Sequence, residues 1–228
     1  MQPEIQYGSQ SGSLSVAQNK VLRNTYLLLA LTMVPTVIGA FIGISTGGII
    51  MQHPIMASLL MIGAVVGLQF AISANRNSGL GVMLLLGMTF LLGWWLGPLL
   101  NFALRLQNGP QLIGIAAVGT GGILLAMSLI ATTTKKDFSF MGKFLFVGMI
   151  VLLLAMLANM FFQIPALALT ISALVVVVFS LFLLHDVSRI VTGGETNYIM
   201  AATGVYISLY NIFANLLSLL MAFTGQRD

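Results

Sequence analysis

The fold of this chain is decided by one apolar stretch, residues 140–184, which reads FMGKFLFVGMIVLLLAMLANMFFQIPALALTISALVVVVFSLFLL and carries one charged residue, Lys143. As one helix rising roughly 1.5 Å per residue it would measure about 68 Å. That is more than twice the roughly 30 Å of a bilayer's hydrocarbon core. The stretch therefore folds back once, and Gln163-Ile164-Pro165 is the best breakpoint, because proline suits the first turn of a new helix. It predicts two membrane-spanning helices.

Similar apolar stretches fill most of the remaining chain. Hydrophobic residues make up 58% of the 228 residues and charged residues only 6%, whereas a soluble domain carries roughly 25% charged residues. We therefore predict an all-α membrane protein whose last helix carries a polar face, with a flexible cytoplasmic tail (1–19) before one seven-helix domain (20–228). The predicted helices span residues 25–44, 54–74, 80–100, 112–131, 140–162, 165–184 and 198–223.

The distribution of basic residues predicts the orientation. Cytoplasmic loops collect Lys and Arg, and an N-terminus in the cytoplasm places seven of the nine basic residues on that side. These are Lys20, Arg23, Arg76, Lys135, Lys136, Lys143 and Arg189, which leaves Arg105 and Arg227 outside. We therefore predict a cytoplasmic N-terminus and a C-terminus on the opposite side, and this placement explains the net charge of +4 without a nucleic-acid partner.

Composition and motifs argue against several classes of function. The chain has no cysteine, and His53 and His185 do not have the spacing of a zinc motif. One GxSxG string occurs, at 43–47 (GISTG), but it lies where the first apolar helix ends and not in the strand–turn–helix context that this motif needs. No Walker A motif is present, nor a pair of intramembrane aspartates that could act as a protease dyad. We therefore expect neither an enzyme, nor a metal site, nor a cofactor.

Charged residues cluster where the sixth predicted helix ends. Asp186 and Arg189 are three residues apart, so Asp186 could pair with Arg189 or with Arg76 after the second helix. They form either a solvated helix end or a gate. A solvated helix end is an ordinary place for them, because a charge is costly only deeper in the membrane. Glu195 reads as an ordinary loop acid.

The last predicted helix carries a polar stripe. Ser208, Asn211, Asn215 and Ser218 follow one another at spacings of three, four and three, which places them on one helical face. An amide in hydrocarbon needs a hydrogen-bond partner, so the stripe either joins neighbouring helices or lines a polar path. Tyr206 and Tyr210 lie nearby and could take part in either.

Small residues recur at a spacing of four in two of the predicted helices. Gly39 with Gly43, and Gly63 with Gly67, form patterns that let helices approach closely. We therefore expect close helix packing at both pairs.

Several strings together resemble the Bax-inhibitor family of multi-pass membrane proteins, and in particular its bacterial YccA-type subgroup. The resemblance covers nearly the whole chain, and its order and spacing make it specific. The strings are 20–26 (KVLRNTY), 97–101 (GPLLN), 135–142 (KKDFSFMG), 193–199 (GGETNYI) and 205–213 (VYISLYNIF). The family resemblance implies a seven-helix bundle in which the last helix is central.

One activity that the resemblance implies is a pH-sensitive calcium leak channel. There, two aspartates near the cytoplasmic ends of the sixth and seventh helices share a proton and latch the pore, and Asp186 occupies the first position. The second position falls on Ser208. A lone carboxylate beside a serine lacks the like-charge repulsion that shifts a carboxylate pair, so this departure disfavours a latch made of two aspartates.

The other implied activity is that of a substrate and modulator of FtsH, the ATP-dependent protease of the bacterial inner membrane. Residues 1–19 are nearly uncharged, and a processive protease could grip such a tail while the bundle resists extraction. An unselected disordered terminus would look the same. The leading hypothesis is therefore an inner-membrane regulator with FtsH and the lipid bilayer as partners, and the rival is the calcium leak, for which calcium ion is the transported partner.

Overall fold

The computed structural model describes residues 8–134 and 136–224, and every regular element among them is an α-helix. In chain order the helices are α1 (Gly8–Thr46), α2 (Gly48–Gln52), α3 (Pro54–Ala74), α4 (Gly79–Trp95), α5 (Gly97–Leu104), α6 (Gly109–Thr134), α7 (Met141–Phe162), α8 (Pro165–Val191) and α9 (Tyr198–Thr224). Seven helical stretches are long and apolar enough to cross a membrane, with α4 and α5 together forming the third. The predicted seven-helix membrane bundle is confirmed.

The turn that divides the long apolar stretch lies at the predicted place. Gln163 adopts the left-handed conformation with φ 52°, and Pro165 occupies the first turn of α8. The Asn159 side chain accepts a hydrogen bond from the Ile164 backbone N–H at 3.0 Å. Proline and this local hydrogen bond end α7 where the chain reverses.

Three helices differ most from their predicted bounds, while the fourth span is three residues longer at each end than predicted. α8 continues seven residues past 184 because polar side chains do not stop a helix, and it ends before Gly193, whose φ of 83° suits glycine. The third span is interrupted at Leu96, two residues before Pro98. Residues 8–19, expected to be part of a flexible tail, belong to α1 because an existing helix extends without a new nucleus. Residues 1–7 of that expected tail lie outside the described residues.

The last helix lies at the centre of the bundle. α9 packs against α1, α3, α4, α5, α6 and α8. Its side chains at Ala202, Val205 and Ile212 are fully buried. The chain's final membrane span is therefore enclosed by earlier ones, as the family resemblance implies.

A backbone seam joins α1 to α4 and the start of α5. Gly39 and Gly43 of α1 lie against the α4 backbone at Phe90 and Trp94, and a Cβ at either glycine would overlap a carbonyl oxygen there. Gly93 and Gly97 pack in the same way against Thr36 and Gly43. These four glycines (39, 43, 93 and 97) are called the glycine seam below. Close helix packing is thus confirmed at the first predicted pair.

The second predicted pair of small residues does not pack in this way. A Cβ at Gly63 or Gly67 would meet no atom within 4 Å. The expectation of a close helix contact there is wrong because the spacing of four only permits an approach, and α3 presents these positions to open space. Spacing alone does not choose the partner.

Candidate functional site

The end of the bundle where α8 ends and α9 begins collects most of the charged residues. Alternating helix directions bring the start of α1, the end of α3, the α6–α7 loop and the α8–α9 loop to this end. The described basic residues here are Lys20, Arg23, Arg76, Lys136, Lys143 and Arg189, whereas Arg105 lies at the other end. Lys135 and Arg227 lie outside the described residues. Which side of the membrane this end faces remains a prediction.

A histidine–aspartate pair lies inside this charged end. His185 Nδ1 is 3.0 Å from Asp186 Oδ1, and the two side chains are only 11% and 19% exposed. Phe182, one turn earlier on α8, lies edge to face against the imidazole. An aspartate this enclosed is stabilised by the neighbouring imidazole, which can donate to it.

Two glycines from other helices enclose the pair. A Cβ at Gly142 of α7 would lie 2.8 Å from His185 Nε2, and a Cβ at Gly204 of α9 would lie 2.7 Å from Asp186 Oδ2. Both side chains therefore touch backbone where any other residue would hold them off. The pair joins α7, α8 and α9 at one level.

The arginines considered as partners of Asp186 are engaged differently. Within the described residues, Arg189 Nη2 lies 3.5 Å from Glu195 Oε2 and donates to the Gly194 carbonyl at 3.2 Å. Arg76 contributes its backbone carbonyl, which accepts from Asn197 Nδ2 at 2.8 Å. The structure therefore pairs Asp186 with its neighbour His185, while the Arg189 side chain binds the α8–α9 loop.

A small cavity of about 150 Å³, whose wall combines charged groups with apolar ones such as Met200 and Ala201, opens beside Asp186. Arg189, Glu195, Gln69 and Thr203 line it together with Asp186 and the backbone of Gly204. Two carboxylates thus share one cavity, and the arginine between them in the chain is paired with Glu195. This is the part of the molecule where a cation or a proton would meet acidic groups.

Ser188 fastens the α6–α7 loop to α8. Its hydroxyl donates to the Lys136 carbonyl at 2.8 Å and accepts from the Phe138 N–H at 3.1 Å. Between these two residues, Asp137 accepts the Ser139 N–H at 2.8 Å. Hydrogen bonds from Ser139 lower the pKa of the exposed Asp137 carboxyl, and the nearby His185 lowers it slightly. The loop therefore keeps a negative charge beside the histidine at neutral pH.

Asn197 caps α9 and ties it to α3. Its side-chain oxygen accepts from the N–H groups of Ile199 and Met200 at 3.0 and 3.1 Å, as an N-cap residue does. Its amide donates to the Arg76 carbonyl and to Asn77 Oδ1, both at 2.8 Å. The string 193–199 is therefore a structural joint between α3, α8 and α9.

The polar stripe of α9 is directed mainly to its own backbone. Asn211, Asn215 and Ser218 are half-buried, and each donates to the carbonyl four residues earlier at 2.9 Å. Ser208 is 2% exposed and lies one turn deeper than Gly204, on the same face. Asn211, Asn215 and Ser218 therefore donate within α9, whereas the sequence suggested partners on other helices or a polar path.

The two tyrosines beside the stripe have different surroundings. The hydroxyl of Tyr206 is hydrogen-bonded to Thr36 Oγ1 on α1 at 2.7 Å and lies 3.3 Å from the Thr89 carbonyl of α4. Tyr210 lines an apolar cavity nearer the other end of the bundle. Tyr206 therefore joins three helices, as expected of a hydrogen-bonding group between helices.

Some residues of this site could not be predicted from the sequence. Gly142 and Gly204 carry no chemical group, and Ser188 and His185 are common residue types at a helix end. Their importance comes from a contact between helices that are far apart in the chain. The only signal available in the sequence is that Gly142 and Asn197 lie within two of the strings that carry the family resemblance.

The fold and the site together define a polytopic membrane protein of seven spans, with a central last helix and a histidine–aspartate pair closing one end. The described residues contain no group of three or more His, Cys, Asp or Glu side chains placed to hold a metal ion. A family model described as inhibitor of apoptosis-promoting Bax1 matches residues 18–225. The chain belongs to this Bax-inhibitor family.

Bacterial relatives match nearly the full length. The modulator of FtsH protease YccA of Escherichia coli K12 is 40% identical over 205 residues, covering 90% of this chain and 91% of that protein. An uncharacterized membrane protein of Vibrio cholerae is 42% identical, covering 89% of each. An uncharacterized protein of Neisseria meningitidis serogroup A is 40% identical, covering 93% of this chain and 95% of that protein.

Proposed function

We propose that this chain modulates FtsH in the bacterial inner membrane by acting as a substrate that is engaged at its N-terminus and extracted slowly. The name of the Escherichia coli relative supports the partner. The cytoplasmic placement of the N-terminus follows from the basic residues and is part of the proposal. While the protease is held on this chain, other substrates are spared.

The observation that carries the proposal is the anchoring of α1. A protease pulling on the N-terminus would have to extract α1 first, and α1 is held against α4 and α5 by the glycine seam. Backbones this close gain dense van der Waals contact, which drives helix association where lipid removes the hydrophobic advantage. The first step of extraction is therefore also a costly one.

Hydrogen bonds between helices strengthen this anchor along most of the membrane span of α1. They are Tyr26 to Ser128 Oγ at 2.7 Å, Thr36 to Tyr206 at 2.7 Å, Trp94 Nε1 to Thr46 at 2.8 Å and Asn101 Nδ2 to the Ile44 carbonyl at 2.9 Å. Such bonds contribute on average about 0.6 kcal/mol each inside a membrane protein. They are spread over α1 from Tyr26 to Thr46, so this part of α1 has to be released at several levels.

Reconstitution with FtsH tests the proposal. The purified chain, FtsH and a second membrane substrate are placed in the same liposomes with ATP, and degradation of the second substrate is followed on gels. We expect slower degradation of that substrate when this chain is present at equal or higher amount, and slow loss of the chain itself. Unchanged degradation at every ratio would overturn the proposal.

A second candidate function is the pH-sensitive calcium leak. It is favoured by the cavity that holds both Asp186 and Glu195. The pairing of Glu195 with Arg189 at 3.5 Å reduces the free negative charge there.

A further inference from the structure

A larger cavity lies in the half of the bundle away from the α8–α9 loop. It measures about 390 Å³ and is enclosed by α1, α5, α6 and α9. Val37, Leu100, Gly121 and Phe213 represent the four helices in its wall. We call it the lateral groove.

The lateral groove opens sideways toward the bilayer. Met33 and Val37 on its α1 rim are 39% and 52% exposed, and Ala117 on its α6 rim is exposed too. All three residues lie well inside membrane spans. Exposure at this depth is exposure to lipid tails.

The gap has a structural cause. The glycine seam holds α1 against α4 and α5, and α6 packs mainly on α8 and α9. Neither helix can therefore swing toward the other without losing its own contacts. The groove is a lasting feature of the packing, with the α9 side chains Tyr206 and Tyr210 in its wall.

Water does not suit this groove. A buried water needs two to four polar partners, and most hydroxyls in the wall are already engaged. Thr36 and Tyr206 bond to each other at 2.7 Å, and Thr120 donates to the Ala116 carbonyl of its own helix at 2.7 Å. Apart from the side chain of Tyr210, which carries one more hydroxyl, the surface offered to an occupant is almost entirely hydrocarbon.

A partner helix does not suit it either. A helix about 10 Å across with a pitch near 5.4 Å occupies roughly 400 Å³ per turn, so the groove would hold one turn of a helix that needs several to cross the membrane. A single hydrocarbon chain is thin enough to enter the groove. The volume of the groove falls in the range of small-molecule sites, roughly 300–1,000 Å³. We propose that the lateral groove binds one acyl chain of a membrane phospholipid.

Gly121 gives a direct way to block the groove. It lines the groove, and a Cβ at Gly121 would meet no atom within 4 Å. Leucine in the Gly121→Leu variant would therefore fill the space without moving the backbone. Gly122 is equally open but is not part of the groove wall, so Gly122→Leu is the matched control on the same helix.

The test is native mass spectrometry of the full chain in detergent with added palmitoyl-oleoyl-phosphatidylethanolamine. We expect the wild type and Gly122→Leu to retain one phospholipid to a similar degree, and Gly121→Leu to lose at least three quarters of that retained species. Equal retention in all three proteins would overturn the proposal, and so would equal loss in both variants. Size-exclusion chromatography confirms that each variant is folded, and Ala117→Leu replaces Gly121→Leu if the latter aggregates.

A second probe separates the chain from the headgroup. Palmitoyl-oleoyl-phosphatidylglycerol carries a different headgroup on the same chains, so an acyl-chain site retains both lipids and loses both in Gly121→Leu. Retention of only one of them, unaffected by Gly121→Leu, would indicate a headgroup site elsewhere and would contradict the proposal.

Discussion

The carboxylate of Asp186 rests against the backbone of Gly204, so closely that a Cβ at Gly204 would lie 2.7 Å from Oδ2. Asp186 of α8 therefore fits into the space that Gly204 leaves on α9, which is called the notch. His185 Nδ1 lies 3.0 Å from the other carboxylate oxygen. This contact replaces the pairing with Arg76 or Arg189 that charge alone suggests. It also makes the position of Asp186 dependent on a residue that has no side chain.

Gly204→Ala is expected to destabilise the protein. The added methyl has to displace the Asp186 carboxylate from its place beside His185. Because only the end of one side chain has to move, the cost should lie at the low end of the roughly 1–3 kcal/mol of overpacking. Thermal unfolding in detergent, followed by circular dichroism, should show a lower midpoint. Gly148→Ala on α7 is the control, because a Cβ there meets nothing within 4 Å, and an equal midpoint for both variants would contradict the notch.

The glycine seam gives the sharpest test of slow extraction. In Gly93→Ala the new Cβ would overlap the Thr36 carbonyl, so α1 should be held less tightly and FtsH should degrade the chain several-fold faster. Gly87→Ala changes the same helix at an open position and should leave the rate unchanged. The rates are compared in liposomes that hold FtsH and ATP, and a Gly93→Ala rate equal to that of Gly87→Ala would speak against the anchor.

The N-terminus provides a separate test of engagement. Deleting residues 1–10 removes the proposed handle but leaves the predicted span intact, so the chain should persist longer in cells with active FtsH. Replacing the ten residues by a Gly/Ser sequence of equal length is the control and should restore turnover, because a flexible segment suffices for gripping. Unchanged turnover after the deletion would show that the protease engages elsewhere.

The calcium leak predicts flux that the site geometry disfavours. Asp186 is paired with His185, and the second position of the channel pattern is Ser208, so the latch of two aspartates is missing. Glu195, the other carboxylate of the cavity, is paired with Arg189. Purified protein in liposomes loaded with a calcium dye should therefore show no pH-dependent flux between pH 5 and 8, and Asp186→Asn should behave the same. A leak that depends on pH and is lost or locked open in Asp186→Asn would establish the rival function.

The sequence predicted the fold best where the thickness and apolarity of the bilayer constrain it directly. Apolar length predicted seven spans, and Pro165 marked the reversal after α7, because both depend on local properties. The polar stripe was placed correctly on one face of α9, but its amides bond to their own helix, which the spacing of residues does not reveal.

Contacts between helices that are far apart in the chain could not be predicted from the sequence. Gly39 and Gly63 stand in the same four-residue pattern, yet one lies on a carbonyl and the other meets open space. The pairing of Asp186 with its neighbour rather than with an arginine depends on where Gly142 and Gly204 bring α7 and α9. Both outcomes are set by the packing of the whole bundle.

The α6–α7 loop offers a pH measurement with a definite sign. Bonds from Ser139 lower the pKa of Asp137, and a carboxyl whose pKa is lower in the folded state stabilises the fold above its unfolded pKa and loses this contribution as pH falls through the folded value. Ser139→Ala removes the hydroxyl and should raise the Asp137 pKa toward the usual value of about 3.9. The chain has three aspartates, Asp137, Asp186 and Asp228, so carbon-13 labelling of aspartate gives a readable titration in which Asp137→Asn identifies the signal. Ser78→Ala, whose hydroxyl donates to a backbone carbonyl, should leave that signal in place, and an unmoved Asp137 signal in Ser139→Ala would show that the Ser139 backbone N–H alone holds the charge.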